Sequence, residues 1–168
     1  MRFTDFLAEG SIRSDLRVTD KAGVLHELAG MLAARTRAPR ELLEEQLVTR
    51  ERISSTAIGE GVAIPHCRFE RLRQTIACIA VDREGVDFGA RDGKPVRLFV
   101  TLVSPTSAPG THLGVLARIA ALLRDGRLRQ ALMEAPDAAT IRALLVRAED
   151  AYLATQARHD ASQHVGSP

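Results

Sequence analysis

Two kinds of hydrophobic pattern alternate along the chain, one with helical spacing and one made of short unbroken apolar runs. In residues 19–34, TDKAGVLHELAGMLAA, the side chains of Val24, Leu25, Leu28, Met31 and Leu32 share one face. Thr19 or Asp20 is placed to cap that helix, and His26 falls off the apolar stripe, as a surface histidine does. Residues 38–52, APRELLEEQLVTRER, repeat the pattern with Leu42, Leu43 and Leu47 on the buried side and Val48 beside them. Pro39 suits the first turn, where a missing N–H costs nothing. Glu41, Glu44 and Glu45 come early and Arg50 and Arg52 late, which matches the helix dipole.

The helical period stops after Ser54. Gly59 and Gly61 punctuate the next stretch, and GVAIP, residues 61–65, reads as a short strand. TIACIAV (75–81) has strand-like composition, and VDFGARDGKP (86–95) is turn-rich around Asp92-Gly93. VRLFVTLVS (96–104) is apolar nearly throughout, so both its faces should be covered, as in a central strand of a layered sheet. Helical spacing returns in 111–125, THLGVLARIAALLRD, with Thr111 as the expected cap, and again in 126–135. After Pro136, Asp137 is placed to cap a last helix that turns Ile141, Leu144 and Leu145 inward. Near the N-terminus, Leu16-Arg17-Val18 reads as a strand leading into the first helix. Beyond about Ala148 the apolar row decays, so residues 149–168, with His159 and His164, read as a frayed or disordered tail. The order of elements predicts an α/β or α+β protein with helices on both faces of a sheet, forming one domain over residues 1–148.

Composition narrows the function. The 168 residues are enough for a single domain with a real core. No apolar run approaches the roughly 18 residues of a membrane span, and the N-terminus lacks the apolar centre of a signal peptide, which predicts a cytoplasmic protein without membrane insertion. Charge is nearly balanced at +2 and aromatics are 4%, so no basic, aromatic-interleaved stripe recommends nucleic acid as a partner. Cys67 and Cys78 are the only cysteines; they form no zinc signature and are expected to be reduced.

Chemistry concentrates at two histidines. Pro65 stiffens the chain immediately before His66, Gly59 and Gly61 permit tight turns or close approach, and neutral imidazole is nucleophilic near pH 7. A nucleophile and a simple turn histidine both fit this pattern. His112 follows the loop SPTSAPG and opens an apolar helix, where free N–H groups favour an anion and disfavour imidazolium. It either shares a pocket with His66 or caps and packs its own first turn. Two histidines without a placed carboxylate or thiolate are an incomplete metal set. Cys67 beside His66 points the opposite way in an extended segment, and no oxyanion hole or orienting group marks a Cys-His hydrolase.

The segment ERISSTAIGEGVAIPHCR (51–68) resembles the phosphorylation-site signature of the fructose/mannitol-type IIA domains of the bacterial phosphoenolpyruvate-dependent phosphotransferase system, nearest to their nitrogen-regulatory members. The resemblance rests on Glu51-Arg52, Ser55-Thr56, Gly59 and Gly61, Ala63-Ile64-Pro65-His66, the strand PVRLFVTLVSP and His112-Leu113, and it spans about residues 3–147. It implies a mixed β-sheet with helices on both faces. It implies that His66 is the phosphoacceptor, modified on Nε2 (a tele-phosphohistidine), and that His112 is a supporting histidine. Arg52, Ser55 and Thr56 would surround the phosphoryl group, and Gly59, Gly61, Cys67 and Arg68 would meet the partner. The family usually has glycine where this chain has Cys67. That side chain either narrows the partner's approach, adds redox sensitivity, or points harmlessly inward.

The implied reaction is a relay in which a histidine phosphocarrier protein, of the HPr or nitrogen type, donates to His66. Nδ1–H of His66 would be held by a backbone carbonyl, leaving Nε2 to attack in line. The phosphate would then pass to a IIB component of a sugar transporter, or the phosphorylation state would select a regulatory target. No metal or cofactor is implied.

Overall fold

The computed structural model describes residues 1–164. A six-stranded sheet runs in the order β1-β5-β6-β3-β2, with β4 also on β6. The strands are β1 (Leu7–Leu16), β2 (Ala57–Gly59), β3 (Val62–Ala63), β4 (His66–Phe69), β5 (Ile76–Val86) and β6 (Val96–Pro105). β1 lies parallel to β5, and β3 and β4 parallel to β6, while the β5–β6 and β2–β3 pairs are antiparallel. The sheet is therefore mixed, as the resemblance implied. β6 is central and buried along almost its whole length, which is why its sequence lacks a polar side.

Helices cover both faces. α1 (Lys21–Ala33) and α2 (Arg40–Ile53) pack on one side. There Val24, Leu28, Leu32, Leu43 and Leu47 meet Ala63, Cys67, Cys78, Phe99 and Val103 of the strands. α3 (Pro109–Leu122), α4 (Gly126–Glu134) and α5 (Ala138–His164) close the other. There Val115, Ile119, Leu132, Ile141 and Leu145 meet Val62, Ile64, Ile79, Val100 and Leu102. Asp20 caps α1 by accepting from Gly23 N at 2.7 Å, and His26 is exposed beside Glu44. Two cap expectations change. Pro39 precedes α2 as its N-cap, and α3 begins at Pro109, so Thr111 lies inside its first turn. β1 is ten residues long where only its end was foreseen, and β5 continues five residues beyond Val81.

The largest departure is at the C-terminus. The fading apolar row predicts a tail from residue 149, yet α5 continues through His164. Residues 165–168 of the expected tail, and the side chain of His164, lie outside the described residues. The continuation has a polar anchor besides the packing of Ala148 and Tyr152 on the core. Glu149 is fully buried and accepts from Phe3 N at 2.6 Å, Thr4 N at 3.0 Å and Thr4 Oγ1 at 2.7 Å, with Arg118 3.9 Å away. It thus satisfies the short 3-10 turn Phe3–Phe6 that opens the chain, and Arg2 pairs with Asp150 at 2.6 Å. A period-based reading of hydrophobicity does not register such a contact. Glu149→Ala should leave these buried donors without an acceptor and cost about 2–4 kcal/mol. Urea unfolding should show a lowered midpoint with an unchanged m-value; an unchanged midpoint would mean the N-terminal turn contributes nothing.

Candidate functional site

The chain reaches the site through a locked carboxylate. Glu51 is buried at the end of α2. It accepts from Thr56 N at 3.0 Å and Thr56 Oγ1 at 2.6 Å, and it pairs with Lys21 Nζ at 2.7 Å. Lys21 also donates to the Phe88 carbonyl at 3.1 Å, and Ser55 Oγ donates to the same oxygen at 3.0 Å. The start of α1, the end of α2 and the loop after β5 are tied together at one point. From there the chain turns through Gly59, Glu60 and Gly61, all at positive φ. At Gly61 the φ of +77° is one that other residues rarely adopt, and an added Cβ would sit 3.0 Å from Met133 Cε, a tight contact at the end of a flexible side chain.

β3 and β4 follow one line along β6, interrupted at Ile64-Pro65; β3 is flanked by β2 and β4 is an edge. Val62 and Ala63 pair with Leu98 and Phe99, and His66 resumes opposite Leu102. The Pro65 carbonyl keeps the register by accepting from Leu102 N at 3.0 Å. Side chains alternate across this strand. Ile64 belongs to the α3-side core and Cys67 to the α1/α2-side core, so His66 faces α3.

His66 is half-buried. Its Nδ1 lies 2.7 Å from the Ile64 carbonyl, and its Nε2 lies 3.2 Å from Arg50 Nε. A carbonyl only accepts and a guanidinium only donates. The two partners therefore assign the tautomer: Nδ1 carries the proton and Nε2 holds the lone pair. Burial lowers the His66 pKa, with Arg50 adding to the effect and the Ile64 contact and Glu51 opposing it. The neutral, nucleophilic form persists to lower pH than in free imidazole.

His112 stands over His66 with ring centroids 5.6 Å apart. It is buried in the first turn of α3, with Nδ1 2.9 Å from Ser104 Oγ. Its pKa is pushed down to about 4, first by burial and then by His66 and Arg68. The sequence attributed its neutrality to the helix field; burial is the larger cause. The unfolded chain holds a proton on this ring between about pH 4 and 6.5 and the folded chain does not. This histidine therefore contributes a loss of stability as pH falls through that window and none above it. Ring-proton titration should show His112 neutral down to about pH 4; a midpoint near 6.5 would mean an open, hydrated ring.

The two histidines line a cleft of about 340 Å³ with Arg50, Cys67, Arg68, Pro109, Leu113 and Leu116. In the first turn of α3 the N–H groups of Gly110 and Thr111 have no helical partner, while that of His112 donates to the Ala108 carbonyl at 3.1 Å, and two arginines line the cleft. The cleft is suited to a small anion held against Nε2 of His66.

Not every expected site residue is here. His66, His112 and Arg68 come together. Arg52 does not: it is exposed on α2 and faces away, while Arg50 takes the position beside His66. Ser55 and Thr56 are not in the cleft lining, and their hydroxyl protons are given to Phe88 and Glu51. Their hydrogen bonds tie the loop to Phe88 and Glu51. Gly59 and Gly61 sit at the hairpin turn, about 13–17 Å along the strand from His66 by the strand rise. There Asp92 accepts from Glu60 N at 2.7 Å and the Gly61 carbonyl starts β6. Cys67 is 6% exposed and points into the core, so of the three readings the inward one holds. Burial pushes its thiol up to about 12, which makes it unreactive. Both cysteines are free. Among the described residues no three His, Cys, Asp or Glu side chains gather as metal ligands.

The family model described as the phosphoenolpyruvate-dependent sugar phosphotransferase system, EIIA 2, matches residues 5–148. A nitrogen regulatory protein of Bradyrhizobium diazoefficiens is 38% identical over 145 residues, covering 86% of this chain and 95% of that protein. The fructose-specific EIIABC component of Bacillus subtilis is 32% identical over 136 residues, 80% of this chain but 21% of that protein. The crystal structure of nitrogen regulatory protein IIA-Ntr from Neisseria meningitidis superposes with a TM-score of 0.81 at 34% identity, covering 84% of this chain and 97% of that one.

Proposed function

Because the chain belongs to the EIIA 2 family of the phosphoenolpyruvate-dependent sugar phosphotransferase system, we propose that it carries its phosphoryl group on Nε2 of His66. As an EIIA-type domain it is a phosphotransferase relay component. The observation that carries the residue assignment is the Nδ1–Ile64 carbonyl contact at 2.7 Å, which leaves the other ring nitrogen as a lone-pair donor at the cleft.

The transfer follows from this arrangement. A histidine phosphocarrier protein, of the HPr or nitrogen type, brings its phosphohistidine to the cleft. The Nε2 lone pair attacks phosphorus, the carrier's N–P bond breaks, and its electron pair returns to the carrier's ring. As the new bond forms the His66 ring becomes cationic, and the Ile64 carbonyl then stabilises it more strongly than in the ground state. Negative charge sits on the equatorial oxygens of the moving group. Arg50, which already donates to Nε2, swings its hydrogen bonds to those oxygens, with the first-turn N–H groups of α3 beside it. His112 supplies a further hydrogen bond without bringing a competing cation into the site. Residues 1–148 form the relay domain in this reading, supported by the family match over residues 5–148.

His112→Ala should still label at His66, but slowly. One hydrogen bond to a charged group is worth about 1.5–3 kcal/mol, and a factor of ten corresponds to about 1.4 kcal/mol. Single-turnover transfer from the phosphorylated carrier should therefore slow by about one to two decades. An unchanged rate would make His112 a packing residue.

The regulatory role is the reading favoured here, with phosphorylation selecting a protein target in the cytoplasm. Its support is that the nitrogen regulatory relatives match over 95% and 97% of their length. No helix among the described residues is long and apolar enough to cross a membrane. Delivery to a IIB component for fructose/mannitol-type uptake is the second reading, supported by the match to the fructose-specific protein. Incubation of the phosphorylated chain with a purified IIB domain distinguishes them: rapid loss of label to IIB supports transport, and its retention supports regulation.

A further inference from the structure

A cleft of about 680 Å³ opens between the end of α1 and the loop joining β4 to β5, on the side of the sheet that His66 does not face. Arg35 and Arg37 line it from the first segment and Arg71 and Arg73 from the second, and its lining contains no acidic side chain. Some basic side chains elsewhere are paired: Arg13 and Arg40 share Glu27, Lys94 meets Glu60 and Arg2 meets Asp150. Among the described residues none of the four cleft arginines has an ion-pair partner, in a chain whose net charge is only +2. Arg35 is also positioned. Its guanidinium lies over Gly10, where an added Cβ would fall 2.0 Å from Nη2.

We propose that this four-arginine cleft binds a nucleotide-sized organic polyphosphate. Guanidinium groups arriving from two segments can engage successive phosphates with forked hydrogen bonds. The volume is that of a small-molecule site, and two phosphates alone would leave most of it empty. Leu72 offers an apolar surface and Gln74 an amide that can both donate and accept, as a ring with polar edges requires. The cations following α1 complement the helix end in any case, but that accounts for Arg35 and Arg37 and not for Arg71 and Arg73.

Calorimetric titration of the full chain with ATP, inorganic tripolyphosphate and a DNA duplex tests this. ATP should bind with a Kd below about 1 mM, more tightly than tripolyphosphate, and weaken as salt is raised. Arg71→Gln with Arg73→Gln should weaken ATP binding at least tenfold, and Arg35→Lys with Arg37→Lys by less. All variants should keep the parent melting temperature and label normally at His66. Four observations would overturn the proposal: no ATP binding at millimolar concentration, ATP binding unchanged in the glutamine variant, tripolyphosphate binding as tightly as ATP, or DNA binding more tightly than ATP through the same arginines.

Discussion

His66→Ala should abolish phosphorylation of this chain. The label on the parent should be stable in base and lost in acid, as a phosphoramidate is, and the variant should carry none. The expected effect is complete because no second group can take over. His112 is the nearest candidate, but its Nδ1 is engaged with Ser104 and the ring is buried, so an in-line approach to it is closed. Cys67 is adjacent in sequence but lies on the other side of the strand with a thiol pushed up to about 12. Ser55 and Thr56 have committed their hydroxyl protons to Phe88 and Glu51. The side chain of His66 is half-exposed at an edge strand, so alanine leaves no large cavity and the fold should persist. Full labelling of a folded His66→Ala chain would show that the wrong nucleophile has been assigned.

Arg50→Ala should come next in severity. Arg50 is held by Nη1 to the Ser54 carbonyl at 3.0 Å while its Nε reaches Nε2 of His66 at 3.2 Å. It is therefore pre-positioned at the atom to which phosphorus bonds, and reorganisation during transfer is small. Removing one such fixed donor from developing oxyanion charge costs about 10²- to 10³-fold in rate. Arg50→Lys should recover only part, since an ammonium keeps the charge but loses the planar fork. Arg52→Ala is the internal comparison. It lies two residues away on the same helix, exposed, and should transfer at the parent rate. Measured single-turnover rates in the opposite order would return the role to Arg52, where the resemblance placed it.

That arginine shows where the sequence stops being legible. Residues two apart on a helix point roughly 200° from each other, so the choice between Arg50 and Arg52 depends on which face of α2 lies over β4. Periodicity identified Leu43 and Leu47 as the buried face, and Arg50 continues it at i+3 from Leu47. That spacing was the available signal. His66 and His112 were accessible from local features, a proline-stiffened strand and a small-residue loop before an apolar helix. The placement of Ser55 and Thr56 outside the cleft lining was not legible, because a hydroxyl in a signature segment looks the same whether it faces a ligand or a buried carboxylate. Only the burial of Glu51 separates the two.

The fold shows the same division. The central strand and the helices α1, α2 and α3 follow a clean apolar pattern and were visible. β1 was not, because its register slips between Leu7 and Ile12 and again between Arg13 and Leu16, and a slipped strand loses the alternation by which strands are recognised. The end of β5 was hidden by Asp82, which accepts from Glu84 N and Gly85 N as a turn residue would. Beyond Ala148, α5 is tied to the N-terminus by the long-range contact of Glu149 and to the core by Tyr152, neither of which shows as a periodic apolar row.

The central claim is that Nε2 of His66 takes the phosphoryl group while Nδ1 stays protonated on the Ile64 carbonyl. A long-range proton–nitrogen spectrum of the 15N-histidine-labelled chain, recorded before and after phosphorylation by the carrier, reads this directly. The account predicts phosphorus coupling at Nε2 of His66 alone, with Nδ1 remaining a protonated, hydrogen-bonded nitrogen. Coupling at Nδ1 of His66, or at either nitrogen of His112, would contradict it.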